Sequence, residues 1–182
     1  MFASKDLFFT RPSGYQISRS VRFRSSASAY FNRTFTTATN NTTWSFSAWV
    51  KRGKVNIGAN QVFLGQTVST GGIIGWNSSD QLTLWNNSST QVVNSTAVYR
   101  DPSAWYHIVV NSNGTTMIGY VNGSQVFTYS GSITNINSAV AHNLGASVAN
   151  SLYFDGYMTE INFIDGQALT PSSFGQYNAY GV

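Results

Sequence analysis

Apolar and polar residues alternate along much of this chain, with the period of two that puts successive side chains on opposite faces of a β-strand. The clearest example is TWSFSAWVKRG, residues 43–53, where every second residue from Trp44 to Val50 is apolar. The intervening positions are mainly serine and lysine, interrupted by Trp49. This stretch is therefore predicted to be a strand with one core face and one mostly polar face.

The same period predicts strands along the rest of the chain. In SVRFRSS, from residue 20, two apolar residues alternate with Arg22 and Arg24, so both arginines are expected to point away from the core. The stretch AWYHIVVN, residues 104–111, is apolar at most positions, as in a strand that is buried on both faces. The remaining predicted strands are residues 61–66, 71–76, 81–86 and 115–129.

Glycine-containing pairs mark the predicted turns. Asn122-Gly123 lies between two alternating runs, and such a pair accepts the positive φ that both positions of a tight hairpin turn require. Asp165-Gly166 predicts another turn after the last strand. The predicted loops are residues 34–43 and 131–142.

Several short strands, spaced roughly 8–12 residues apart, indicate an all-β sandwich or barrel. A single helical turn is predicted at residues 171–177, PSSFGQY. The 182 residues suit one domain. Residues 1–18 differ from the rest, since a short apolar stretch, LFF, is followed by RPSG. We therefore expect an N-terminal extended arm over residues 1–18 and a β-sandwich domain over residues 19–182.

Composition excludes several classes of site. Only 9% of the residues are charged, so the polar surface consists mainly of Ser, Thr, Asn, Gln and Gly. The chain has no cysteine, which excludes disulfide bonds and thiolate metal sites. The N-terminal residues lack the apolar core of a signal peptide, and no run approaches the ~18 apolar residues of a membrane span. We therefore expect no contact with a membrane.

The charged residues are unevenly distributed. Residues 1–54 carry nine basic side chains and one acidic side chain, whereas residues 55–182 carry one basic and five acidic. The N-terminal third is therefore expected to face an acidic partner. The basic residues are scattered, and the aromatic-basic motif of an RNA-binding sheet is absent, which argues against nucleic acid. The predicted docking residues are Phe8, Phe9, Arg11, Arg22 and Arg24.

The order of the motifs resembles that of laminin-G-like, concanavalin A-like jelly rolls. The motifs are SRSVRFRSSASAYFNRT, TWSFSAWVKRG, WYHIVV, YVNGSQV, NLGA and FDGYMTEINFIDGQALTPSSFG, and they run from about residue 17 to residue 177. The chain looks like the version of this domain found in virion proteins of tailed bacteriophages. The resemblance implies two antiparallel sheets packed face to face, with a concave side that binds sugars in some relatives. It also implies a phage particle, assembled in the host cytoplasm, as the location, and a homo-oligomer.

The carboxylates near the C-terminus lack the spacing of a glycosidase site. Related jelly-roll glycosidases carry acidic residues at i, i+2 and i+4 of one strand, so that they share a face. Here Asp155 and Asp165 each lie five residues from Glu160, and an odd separation along a straight strand puts side chains on opposite faces. His107 lies in an apolar strand, and His142 has no acidic residue near it in the sequence. We therefore predict a protein that is not an enzyme.

Two kinds of ligand stay open at this point. No cofactor is predicted except calcium, which several relatives bind at the sheet edge, and the candidate ligands are Asp80, Asp155 and Asp165. An exposed tryptophan flanked by asparagine suits stacking on a pyranose ring together with hydrogen bonds, and GWNSSD and LWNNSS fit that pattern. The candidate glycan-binding residues are Trp76, Asn77, Trp85, Asn86 and Asn87.

From the resemblance and the charge distribution we expect a structural component of a phage virion. It would be a decoration or minor protein, attached to capsid or tail proteins through the N-terminal arm and the basic face. The alternative is a glycan-binding module of a tail fibre or capsid fibre, which recognises a host receptor.

Overall fold

The computed structural model describes residues 17–67, 71–86, 90–131, 136–147 and 151–175. These residues form two antiparallel sheets of six strands each and contain no α-helix, which confirms the predicted two-sheet sandwich. The strands are β1 (Val21–Phe23), β2 (Phe31–Thr34), β3 (Thr43–Arg52), β4 (Gln61–Gln66), β5 (Ile73–Trp76), β6 (Leu82–Trp85), β7 (Gln91–Asn94), β8 (Trp105–Asn113), β9 (Thr116–Val121), β10 (Ser124–Ser130), β11 (Ala141–Leu144) and β12 (Gly156–Asp165).

Each sheet contains strands from both the beginning and the end of the chain. Sheet A has the strand order β1-β12-β3-β8-β9-β10, and sheet B has the order β2-β11-β4-β5-β6-β7. The edge strands β1 and β2 are joined by a 3-10 turn, Ser25–Ala27, and the rings of Phe23 and Phe31 meet edge to face at 5.6 Å. One side of the sandwich is therefore bordered by β1 and β2 together.

The core lies between the inner faces of the sheets. The apolar positions of β3, from Trp44 to Val50, are fully buried, as the alternation predicts. The opposite face of β3 was expected to be polar and solvent-facing, but Ser45 and Ser47 are buried as well. Ser45 Oγ donates to the carbonyl of Gln167 and accepts from the backbone N–H of Leu169, both at 2.7 Å. The segment after β12 thus covers part of the outer face of sheet A.

The predicted turns are confirmed, and the short elements differ in their bounds. Asn122 and Gly123 have φ of 50° and 78°, as the hairpin between β9 and β10 requires. The helical turn is a 3-10 turn, Pro171–Ser173, and residues 176–177 lie outside the described residues. The predicted loop at 131–142 ends earlier than expected, because β11 begins at Ala141 and pairs with both β2 and β4.

The last strand, β12, carries a bulge near its middle. Thr159 pairs with Trp49 of β3 and Asn162 pairs with Ser47, so two residues of β12, Glu160 and Ile161, lie opposite one residue of β3. Glu160 has a φ of 47°. Of the predicted arm, residues 1–16 lie outside the described residues. None of the helices in the described part of the chain has the length and hydropathy that a membrane span requires.

Candidate functional site

The outer face of sheet A carries a groove of about 390 Å³ with two tryptophans in its wall. Trp49 and Trp105 are both half-buried, so each ring keeps part of its surface open to solvent. They lie on the adjacent central strands β3 and β8, where cross-strand pairing fixes their positions. We call this the aromatic groove; its lining residues are Ile17, Ser18, Arg19, Ser20, Trp49, Trp105 and Thr159.

Trp49 is held in place by its cross-strand partner. The imidazole of His107 stacks on the indole with ring centroids 4.9 Å apart and an interplanar angle of 21°. His107 Nε2 lies 3.0 Å from Ser47 Oγ, which fixes the plane of the imidazole ring. Burial lowers the pKa of His107, so the imidazole is neutral at neutral pH. The stack leaves Trp49 as a rigid platform.

The other wall of the groove is the chain just before β1. Thr159 Oγ1 donates a 2.7 Å hydrogen bond to the carbonyl of Arg19, which ties this segment to β12. Thr159 is also the cross-strand neighbour of Trp49. The groove is therefore lined on one side by indole surface and on the other by hydroxyl and backbone groups.

A row of alternating cations and aromatic rings crosses the sheet beside the groove. Pairing places Arg22, Tyr157, Lys51 and Trp105 on four successive strands as direct neighbours. The guanidinium of Arg22 lies over the Tyr157 ring, 4.8 Å from its centroid. This row gives the aromatic groove a basic rim.

Asp155 neutralises part of that rim and anchors it. Its carboxylate lies 3.0 Å from Arg22 and 3.6 Å from Lys54, and it accepts hydrogen bonds from the backbone N–H and the hydroxyl of Ser25. Burial acts to raise the pKa of Asp155, but the hydrogen bonds from Ser25 and the charges of Lys54 and Arg22 outweigh it and lower the pKa. Asp155 therefore remains ionised and fixes β1 against the start of β12.

The expectation that Trp76 offers a sugar platform is wrong. Its side chain is fully buried, with its ring centroid 5.1 Å from that of Phe63 and 5.0 Å from that of Tyr99. The polar residues after it made the stretch look exposed, but they form the turn between β5 and β6. Asn77 is buried in this turn and accepts from the backbone N–H groups of Ser79 and Gln81.

The expectation that Trp85 is exposed and can stack on a sugar is wrong as well. It lies on the outer face of sheet B and is only 5% exposed, packed in a small cluster with Val62 and Ile73. Asn86 is exposed, and Asn87 lies outside the described residues. The pattern of tryptophan beside asparagine therefore selected two buried tryptophans and passed over Trp105.

The predicted docking residues are only partly described. Arg24 is exposed on the β1 side of the sandwich, and Arg22 is partly exposed but paired with Asp155. Phe8, Phe9 and Arg11 lie outside the described residues.

The three candidate calcium ligands do not form one site. Asp80 pairs with Arg52 and Arg100, and each contact is 2.7 Å. Asp155 pairs with the cations beside β1, at one end of β12. Asp165, at the other end, accepts from the backbone N–H of Thr39 at 2.7 Å. Within the described ranges, no three His, Cys, Asp or Glu side chains gather where a metal ion could be held.

A second cavity, of about 600 Å³, opens between the sheets on the β1 and β2 side. We call it the inter-sheet cleft. Phe35 lies inside it, stacked on His142 at 3.9 Å and 5.0 Å from the ring centroid of Phe163. Burial lowers the pKa of His142, which keeps this imidazole neutral as well.

Comparisons with known proteins agree with this architecture. A family model described as the concanavalin A-like lectin/glucanases superfamily matches residues 23–173. No curated protein sequence matches the chain.

Several solved structures share the fold at low sequence identity. A heptameric SAP-like pentraxin from Limulus polyphemus is 17% identical over 80% of this chain and 73% of its own, with a TM-score of 0.57. The CBM40 domain of the Ruminococcus gnavus IT-sialidase, bound to α2,3-sialyllactose, is 10% identical over 81% of this chain and 96% of its own, with a TM-score of 0.60. Domain 4 of an extracellular arabinanase from Geobacillus stearothermophilus, in complex with arabinotriose, is 20% identical over 77% and 66%, with a TM-score of 0.57.

Proposed function

Because this chain belongs to the concanavalin A-like lectin/glucanase superfamily, we propose that it binds carbohydrate through the aromatic groove of sheet A. One observation carries the proposal: Trp49 and Trp105, both half-buried on central strands, line the same groove. A pyranose ring has an apolar face that stacks on such surfaces, and its hydroxyls need polar partners beside the ring. Thr159 and Arg19, which line the groove, supply those partners, and Lys51 lies beside it as the cross-strand neighbour of Trp105.

Two of the similar structures support the proposal through what they hold. The sialidase domain is bound to sialyllactose, and the arabinanase domain is in complex with arabinotriose. The described lining of the aromatic groove includes no carboxylate. Hydrolysis of a glycosidic bond needs a pair of them, so we propose binding without catalysis.

The test is to screen the protein on a printed glycan array and to titrate it with α2,3-sialyllactose and arabinotriose. Binding in the titrations is measured by tryptophan fluorescence and calorimetry. For the glycans that bind, Trp105→Ala should weaken affinity at least about tenfold, which is roughly 1.4 kcal/mol. Trp49→Phe, which keeps an aromatic ring against His107, should lose less. Tyr120→Ala, a half-buried position on the same face but outside the groove, is the matched control.

Unchanged melting temperatures would show that the variants fold. The proposal fails if no glycan binds, or if Tyr120→Ala weakens binding as much as Trp105→Ala does.

A place in a phage virion is the second candidate function. The basic N-terminal third favours it, because described residues with exposed cations, such as Arg19, Arg24 and Arg33, lie on or beside the strands β1 and β2. An acidic capsid or tail protein would be the partner. If the protein both attaches to the virion and binds carbohydrate, the glycan would be the receptor on the host surface. Sedimentation with virions, before and after deletion of residues 1–18, separates this role from glycan binding alone.

A further inference from the structure

The inter-sheet cleft has apolar walls and an open mouth. One wall is formed by Phe31 and Leu144 of sheet B, and the other by Ile161 and Phe163 of sheet A. Phe31 is 52% exposed, an unusually open position for a phenylalanine. The cleft therefore presents apolar surface to solvent at the edge of the sandwich.

The strand β2, at the mouth of the cleft, is an edge strand of sheet B. Among the described strands, only β11 pairs with β2, and all four residues of β2 are exposed. An open strand edge offers backbone N–H and C=O groups to an added strand.

The side chains of β2 show what such a strand would carry. Register with β11 puts Phe31 opposite Leu144 and Arg33 opposite His142, so both β2 side chains lie on the cleft side. A strand added beside β2 would bring an apolar side chain to Phe31 and, two residues along, a side chain to Arg33. A carboxylate at that second position would pair with Arg33.

The charge of β2 favours an acidic partner over a second copy of this chain, because Arg33 is the one charged residue of that strand. No acidic residue occurs between Asp6 and Asp80, so both edge strands are drawn from a basic stretch. The carboxylate of Asp165 also lines the cleft, where it accepts hydrogen bonds from backbone N–H groups and from Asn137 Nδ2 at 2.6 Å. β2 has no acidic residue, so pairing of β2 with β2 of another copy would leave neither Arg33 side chain a carboxylate across the strands.

We propose that this edge binds an extended segment of a partner protein, which adds as a strand to β2. Its bulky apolar side chains close the mouth of the inter-sheet cleft, and a carboxylate pairs with Arg33. The site is separate from the aromatic groove, so a partner protein and a glycan can be bound together.

The test uses two pools of synthetic heptapeptides. Both have Val, Ile, Leu or Phe at positions 2 and 4 and Ser or Thr elsewhere, and they differ only in Asp or Lys at position 6. The full-length protein should bind Asp peptides about three- to tenfold more tightly than the matched Lys peptides, since opposite charges across strands attract and like charges repel. Arg33→Glu should reverse that preference, and hydrogen exchange should show new protection of the β2 amides in the complex.

Gln125→Glu, an exposed position on β10 at the far edge of sheet A, is the matched control and should keep the wild-type preference. Phe31→Ser should weaken both pools. The proposal is overturned if neither pool binds, or if Arg33→Glu leaves the preference between the two pools unchanged. It is also overturned if the wild type is a dimer that Arg33→Glu dissociates, or if Arg33→Glu abolishes glycan binding, which would assign the cleft to sugar.

Discussion

At the scale of single residues, the most unusual feature is a cation inside the core. The side chain of Arg52 is fully buried, and its guanidinium lies 5.4 Å from the centroid of the Trp76 ring. Asp80 balances the charge at 2.7 Å and also accepts the backbone N–H of Asn56. Burial acts to raise the pKa of Asp80, but hydrogen bonds from Arg100 and Asn56 outweigh it, so the pKa is lowered.

Neutralising Asp80 should therefore destabilise the whole domain. Asp80→Asn keeps a residue that tolerates the φ of 65° at this position, but it leaves Arg52 buried without a counter-charge. We expect a loss of about 3–5 kcal/mol in the free energy of unfolding, measured by urea denaturation. Asp101→Asn, at an exposed aspartate, is the control and should change little. A loss below about 1 kcal/mol would mean that the pair contributes no more than an exposed one.

At the scale of elements, pairing between strands decides which side chains meet. The alternation in the sequence predicted β3 and β8, but the row Arg22, Tyr157, Lys51 and Trp105 exists only because β1, β12, β3 and β8 lie side by side in one register. No local pattern gives that order, since β1 and β12 lie at opposite ends of the chain. The aromatic groove was therefore missed, although Trp49 and Trp105 were each assigned to strands.

The close approach of two strands also requires glycine at one position. Gly75 lies inside β5, and an added Cβ would collide with the backbone of Gln61 and Val62 on β4. Gly75→Ala should force these strands apart and lower the free energy of unfolding by about 1–3 kcal/mol, as overpacking does elsewhere. Gly175→Ala, where a Cβ meets nothing within 4 Å, is the matched control for thermal melting. Equal melting temperatures for the two variants would contradict the close approach.

At the scale of the whole molecule, two aspartates fasten segments that are distant in sequence. Asp155 joins the start of β12 to β1 and Ser25, and Asp165 joins its end to the loop at Thr39. The backbone N–H of Thr39 lowers the pKa of Asp165 to about 2. The ends of the last strand are thus held by carboxylates that must stay ionised.

This arrangement predicts a loss of stability in acid. A carboxylate whose pKa is lower in the folded state stabilises the protein above its unfolded pKa of about 4, and that contribution disappears as the pH falls through the folded pKa. For Asp165 the loss should fall between about pH 4 and pH 2. Asp165→Asn should flatten the dependence of the urea midpoint on pH in that window. An unchanged slope would show that Asp165 does not hold the loop in solution.

Local sequence patterns were enough to predict most of the strands, the hairpin turn and the class of fold, but not the short strands β2, β7 and β11. The predicted features follow from local rules, because the period of two and the Asn-Gly pair act within a few residues. It also placed His107 correctly in a buried strand. The order of motifs along the chain was enough to point to the concanavalin A-like superfamily, which the family model confirms.

Which tryptophans are accessible to solvent depends on long-range packing. Alternation shows that two faces differ, but it does not show what covers each face. Trp76 is closed off by Phe63 and Tyr99, and Trp85 packs against Val62 and Ile73, whereas Trp49 and Trp105 keep part of their surface open. The candidate site therefore depends on how the sheets are covered, which is a property of long-range packing and is absent from any local stretch of the chain.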